Sequence, residues 1–569
     1  MTNRKLRAFQ ISSIVFFNAL LFISWTIHYE PVKSLLAGAP FIQYYVQYRM
    51  SQQDNLDAYN TPAQSKIDVT HYDININLFP EKETVNGDVT VTGVITGKPL
   101  KAIDLNFYEN MQIKLLTLNG KTSEFEQKGT RLTVPLNSFN ADTFNIRVVY
   151  EGTPKKLGFG SFVFDKFSGR SVTYTLSEPV YASTWYPCND KPDDKALIDM
   201  RITNDSSKVS VSNGRLMDVK TSGNRRTYHW KTFYPITTYL ICIYSADYRH
   251  FEEEYVPASK DTMKIDYYSF PEHLDMAKND FKGHPEMIKF FSGLFGEYPF
   301  LKEKYGVAEF LWQMGAMEHQ TITGIGSNFL NGRRFFSEFY IHELAHQWFG
   351  DAVSPATWKD IWLNEGFASY CEALYAEHES GPSAYRSTML QKFHDKFSGT
   401  LYKPESGLFS STVYDKGAWV LHMLRWEIGD TAFFSSLKKY YEAYKYKSAT
   451  TNNFIKVCEN ESHKDLSCFF KQWVFNGTEN IKLVYSWEDK SSDGKMHLLK
   501  LTVKQEQEGY PVFRFPLEII IKPEGADEVK KIFYVDQRQQ DFEIKLEHKV
   551  TGITMDPSGW LLASFKQQQ

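Results

Sequence analysis

The spacing of apolar residues changes twice along the chain, and this constrains the fold more than any other feature. From 66 to about 250 they recur every second position. Tyr72, Ile74, Ile76 and Leu78 alternate with polar residues, and Asn86-Gly87 marks a turn before Val89 and Val91. Period two is the pattern of half-buried strands. From about 251 to 476 the spacing becomes helical, most clearly over 340–349, 362–375, 414–428 and 431–444. Gly429-Asp430 separates the last two as a helix stop followed by an N-cap. From Ile481 strands return, with Leu499, Leu501 and Val503, then 513–521, 532–535 and 542–546. This predicts a multidomain α+β protein. Its parts are an N-terminal β-rich domain at 66–250, a mostly helical domain at 251–478, and a β-sandwich at 479–569.

Composition removes several function classes. Of 569 residues 42% are hydrophobic and the net charge is −4, so the chain can bury sizeable cores and has no global signature of a nucleic-acid partner. Five cysteines without a CxxC pair argue against a disulfide scaffold, a cysteine zinc ribbon or a redox pair. Neither GxxxxGK[ST] nor GxSxG occurs, which leaves a P-loop or a nucleophile elbow without an anchor.

The N-terminus predicts membrane attachment. Arg4, Lys5 and Arg7 precede the stretch 8–27, which has no charged residue and no histidine. Twenty helical residues span about 30 Å, the thickness of a bilayer core. The basic flank would stay in the cytoplasm, putting the rest on the periplasmic or extracellular side. Residues 1–30 then form a stub and transmembrane anchor, and 31–65 a tether. The alternative is a signal peptide that is cleaved and a secreted product. Its only small-x-small site nearby, Ala37-Gly38-Ala39, is followed by Pro40.

The chemistry is concentrated in the helical region. His342-Glu343-Leu344-Ala345-His346 puts two imidazoles one turn apart on one helix face, where both reach a single ion. The pentad alone also fits two satisfied helix histidines. Glu365, with eighteen residues between it and His346, supplies a third ligand. Two histidines and a glutamate with a fourth position open make a catalytic zinc arrangement, with one Zn2+ per chain. Glu343, one residue off the ligand face, is placed to act on water as general base and acid.

Four motifs together, HELAHQWFG at 342–350, WLNEGFASY at 362–370, GAMEH at 315–319 and YDKGA at 414–418, resemble the aminopeptidase N family of gluzincin metallopeptidases in order and spacing. YPCNDKP at 186–192 is similar to a segment of that family's N-terminal domain. The resemblance covers roughly 66–569. It implies a saddle-like β domain, a thermolysin-like catalytic domain and a β-sandwich, in a short form without the large C-terminal helical domain of many relatives and with a more open cleft. It further implies that Tyr414 hydrogen-bonds the developing oxyanion. Glu318, in Gly315-Ala316-Met317-Glu318-His319, would bind the substrate α-ammonium while the glycine-led backbone pairs with the peptide. Glu178, in Thr175-Leu176-Ser177-Glu178-Pro179, would be a second amine anchor, although Leu176 replaces the family's glutamine. On their own, Tyr414 reads as a core residue and Glu318 as a surface residue.

Further departures bear on detail. His319 replaces the family's asparagine beside the amine anchor, where it can crowd the first subsite or titrate near neutral pH. Ser369 occupies the place of a thermolysin aspartate, so the histidines' supporting partners are open. Asp360 is one candidate, with a helix-end charge as its other reading. Cys458 and Cys468 read equally as a disulfide or as two buried thiols. Asn204, Asn460 and Asn476 begin N-x-[ST] sequons.

The reading that follows is a zinc aminopeptidase acting on peptides with a free N-terminus. Alternatives are a catalytically altered peptide-binding member, an epoxide hydrolase with aminopeptidase side activity like leukotriene A4 hydrolase, and an endopeptidase. The sequence does not specify an oligomeric state.

Overall fold

The structure is a computed structural model that describes residues 56–136, 142–492 and 496–568. The strand Ile67–Phe79 buries Val69, Tyr72, Ile74, Ile76 and Leu78 and turns polar neighbours outward, as period two requires. A bulge between Val69 and His71 resets the alternation between Val69 and Tyr72. This strand is central to an eight-stranded sheet in the order Arg215–Ser222, Arg225–Lys231, Leu197–Asp205, Ile67–Phe79, Thr84–Ile95, Thr143–Gly152, Gln112–Leu118 and Lys121–Thr122. A four-stranded sheet (Val209–Val211, Tyr244–Ala246, Arg170–Leu176, Ser161–Phe167) follows, and Glu178 lies just beyond its strand Arg170–Leu176.

The first part of the region read as helical is a sheet. Arg249–Tyr255, Met263–Ser269, Tyr305–Phe310, Thr323–Gly326 and Ala316–Met317 form five strands in that order. All six residues of Tyr305–Phe310 are buried, and it pairs in parallel with both neighbours. A strand covered on both faces has no polar alternation to reveal it. Ala316–Met317 is the terminal strand and pairs only with Thr323–Gly326, so its outer edge is unpaired among the described residues.

Helices then dominate. Ser337–His346 and Trp362–Ser380 pack together, and the second also meets Gly417–Ile428. A π-helical turn, Thr412–Lys416, leads into Gly417–Ile428. Gly429 ends that helix at φ +81°, a conformation that favours glycine. Asp430 does not cap the next helix, Asp430–Tyr444. Its carboxylate instead accepts two 2.8 Å hydrogen bonds from Arg425.

The last residues form two sheets, Gln539–Leu546, Met496–Gln505, Ile481–Ser492 and Ala563–Gln567, then Val529–Val535, Phe515–Pro523 and Val550–Met555. They hold Gly417–Ile428 in place. Trp426 Nε1 donates to Pro516 O at 2.9 Å, and Trp560 stacks on His422 and Trp426. All five cysteines are free thiols, Cys458 and Cys468 included. Asn204 is 2% exposed and donates to Ser245, so its sequon is closed to modification in the folded chain.

The membrane placement is corrected. No helix among the described residues is long and apolar enough to cross a membrane. The longest, Trp362–Ser380, carries Glu365, Glu372, Glu377 and Glu379. The anchor expected over 8–27 lies outside the described residues. The expectation of a catalytic part held beyond a membrane has no spanning helix among the described residues to rest on and is dropped.

Candidate metal and peptide site

Ser337–His346 and Trp362–Ser380 bring three donor atoms together. His342 Nε2 and His346 Nε2 each lie 3.4 Å from Glu365 Oε2. Two corners of a tetrahedron with bonds of about 2.1 Å are about 3.4 Å apart, so the set fits an ion such as zinc. The far side of each imidazole is fixed. His342 Nδ1 donates to Glu372 Oε1 at 2.7 Å, and Glu372 Oε2 accepts from Lys392 Nζ at 2.6 Å. His346 Nδ1 faces Phe349 O at 3.1 Å. Such outer partners set the tautomer that leaves Nε2 free to bind metal.

Asp360 is not one of them. Its carboxylate accepts from the Thr451 N–H and hydroxyl, both at 2.8 Å, and from the Thr357 hydroxyl at 2.8 Å. It therefore joins two helix N-termini away from the imidazoles. The partner that sequence reading missed, Glu372, stands seven residues after Glu365. Two helical turns put both on one face, and that spacing was the available signal.

Charge in the site is out of balance. Glu178, Glu318 and Glu365 place carboxylate oxygens within 4.8 Å of one another, and Glu318, Glu343 and His346 form a second such group. Glu178 Oε1, Glu318 Oε1 and Glu343 Oε2 are buried without hydrogen-bond partners among the described residues. Burial, then the neighbouring Glu318 carboxylate, drives the Glu178 carboxyl well above the usual range. Burial also raises Glu318, and it lifts Glu343 to about 8 against the pull of the two imidazoles. For Glu365 burial is outweighed by His346 and His342, which hold it at about 2. Orphaned buried carboxylates of this kind call for cations, and the cleft has two places for them, the three-ligand corner and the gap between Glu178 and Glu318.

Each remaining predicted residue lines the same cleft of about 390 Å3, including Gly315, Ala316, Met317 and Tyr414. The Tyr414 ring stacks on His342 with centroids 5.7 Å apart. Burial, then the Glu365 carboxylate, keeps the phenol protonated far into the alkaline range, so it is a donor. Gln347, next to His346, braces the loop that carries Glu318. Its Nε2 donates to Glu318 O at 3.2 Å, and its Oε1 accepts from Thr321 N at 2.9 Å.

His319 is absent from the cleft wall. It is fully buried, shares a 2.6 Å hydrogen bond with the Tyr244 hydroxyl, and is held by burial at about 3. It neither crowds the cleft nor titrates near neutral pH. Phe159, Trp312 and Phe409 also line the cleft. They come from three separate segments, and no local pattern in the sequence joins them.

Comparison with known proteins agrees along most of the chain. Residues 68–240 match the peptidase M1 N-terminal domain, and 280–473 match the peptidase family M1 domain. "Probable aminopeptidase 2" of Sulfurisphaera tokodaii is 24% identical over 79% of this chain and 58% of its own length. The alanine/arginine aminopeptidase of Saccharomyces cerevisiae is 23% identical over 88% of this chain and 61% of its own. The chain thus spans about three fifths of these relatives. Among solved structures, aminopeptidase A of Legionella pneumophila, in complex with aspartic acid, superposes with a TM-score of 0.79 at 20% identity, covering 90% of this chain and 61% of that one. The M1 zinc metallopeptidase of Deinococcus radiodurans has a TM-score of 0.64 at 26% identity, covering 72% and 94%.

Proposed function

The chain belongs to the peptidase M1 family, and from that premise we propose that it is a zinc-dependent aminopeptidase acting on peptides with a free N-terminus. The observation that carries this reading is the pair of orphaned carboxylates, Glu178 and Glu318, beside a three-ligand corner. The corner alone would suit any metallopeptidase. Two anionic groups next to it give a substrate ammonium its place and fix the bond that is cut.

His342, His346 and Glu365 would hold the ion, which supplies a Lewis acid to polarise the scissile carbonyl and acidify water. Glu343 takes the proton of the attacking water and delivers it to the leaving amine. Its unpartnered Oε2 and raised affinity for protons suit a group that must both accept and give. Tyr414 donates to the oxygen on which negative charge builds. The unpaired edge at Ala316–Met317 offers backbone groups to the peptide in the manner of an added strand. Glu178 and Glu318 clamp the α-ammonium through charge-assisted hydrogen bonds. The domain limits that go with this reading are 66–250, 251–478 and 479–569, with the two C-terminal sheets taken as a β-sandwich.

The test compares zinc-loaded protein on aminoacyl fluorogenic amides and on their N-acetylated twins. Free amines should be cleaved and acetylated ones spared. Glu343→Gln should lower kcat by about a thousandfold with zinc still bound, within the roughly 10^2–10^4-fold that a general acid–base group contributes. Equal cleavage of both amide sets would remove the amine clamp. Failure to cleave either, with zinc bound, would favour a peptide-binding role.

A further inference from the structure

The cleft carries a statement about which first residue it takes, and this rests on the aminopeptidase reading. The α-amine and the side chain of a first residue branch from one carbon. With the amine between Glu178 and Glu318, the side chain must meet the walls that flank those two carboxylates. Leu176 stands two residues before Glu178, and Trp312 and Met314 precede the edge strand that leads to Glu318. Phe159 contacts Trp312 with ring centroids 5.4 Å apart and Phe409 at 5.2 Å. All five line the cleft, and none carries a charge.

The other charged residues of the cleft belong to the helices Ser337–His346 and Trp362–Ser380 or are already paired. Glu372 and Lys392 pair on the Nδ1 side of His342, the side turned away from Glu365. Asp415 is engaged by His394 at 2.7 Å. Glu338 lies one turn before His342 on the same helix. An acidic first side chain would therefore enter an aromatic and aliphatic pocket whose cleft has no lysine or arginine left unpaired, and a basic one would leave water for five walls that carry no charge of their own. The geometry points to a first subsite for large apolar residues, phenylalanine and leucine foremost, with Phe159, Leu176, Trp312, Met314 and Phe409 as its specificity-determining walls.

A panel of aminoacyl amides on the zinc-loaded full chain tests this. Phenylalanine and leucine should exceed alanine in kcat/KM by at least about tenfold, and arginine and aspartate by about a hundredfold, the scale on which apolar pockets discriminate. Phe409→Ala should compress the phenylalanine-to-alanine ratio by about tenfold, and Met314→Glu should raise arginine relative to phenylalanine. A flat panel, or arginine or aspartate as the best substrate, overturns the assignment. A second measurement does not depend on turnover. The zinc-loaded Glu343→Ala protein is heated with free L-phenylalanine, L-alanine, L-arginine or L-aspartate at equal concentration. The largest rise in melting temperature should come with L-phenylalanine, and equal shifts or a larger one with L-arginine or L-aspartate would overturn the pocket. If no amide is cleaved while L-phenylalanine still gives the largest shift, the peptidase reading fails and the apolar pocket stands.

Discussion

Tyr244 and His319 share a hydrogen bond inside a layer that has no solvent contact. Burial sets the chemistry of that histidine. The unfolded chain takes up its proton near pH 6.5, whereas the folded chain resists until about 3. A depressed folded pKa gives stability that is present above pH 6.5 and is lost as the pH falls towards 3. His319→Asn, which installs the residue the family carries, should remove this share. Between pH 7.5 and 5 the unfolding free energy of the variant should fall by about 2 kcal/mol less than that of the parent, 1.4 kcal/mol corresponding to one pH unit for one proton. Denaturant midpoints at the two pH values measure it, and identical slopes would refute it. His284 and His422, held near 4 by the same burial, keep their own part of the slope in both proteins. The substitution of histidine for asparagine was visible in the sequence. Its consequence was not, because the side chain turns away from the cleft into Tyr244.

Helix contacts explain why the spacing of the three donor residues was legible and its support was not. His342 and His346 declare themselves by a spacing of four within one helix, and Glu365 by its distance along the chain. The place where Glu365 sits depends on a crossing that no periodicity reports. Gly366 and Gly417 face each other so closely that a Cβ on Gly417 would lie 2.7 Å from the Gly366 Cα, and one on Gly366 would lie 2.9 Å from the Gly417 Cα. One glycine follows Glu365, and the other stands three residues after Tyr414. Gly417→Ala should push the two helices apart, at a cost of about 1–3 kcal/mol in stability. It should also weaken zinc binding and lower kcat together, because Glu365 and Tyr414 move with their helices. Unchanged zinc affinity in a folded variant would mean that the crossing does not govern the site. The same limit on local pattern hid the five-stranded sheet, whose buried strand Tyr305–Phe310 has no polar face.

At the scale of the whole molecule, the proposed amine clamp is shared between two sheets. Glu178 follows a strand of the four-stranded sheet, and Glu318 follows the edge of the five-stranded one. Lys195 helps to hold the halves together, donating to Asp351 O at 2.6 Å and Ala352 O at 3.1 Å. Glu178 and Glu318 come from different sheets, and no pattern along the chain states where those sheets meet. Glu178→Gln should raise KM for free-amine amides by about 10- to 100-fold, the worth of one charge-assisted hydrogen bond, with a smaller change in kcat. The preference over acetylated amides should narrow accordingly. An unaltered KM would take Glu178 out of the clamp. A clamp that holds the substrate's first residue would also have a consequence in time. Every cut creates a new N-terminus that must present itself to the same aromatic wall. On the proposed reading, trimming would slow about a hundredfold wherever a charged residue arrives at the wall, and the fragments that accumulate first would begin with such residues, recording the order of the substrate's sequence.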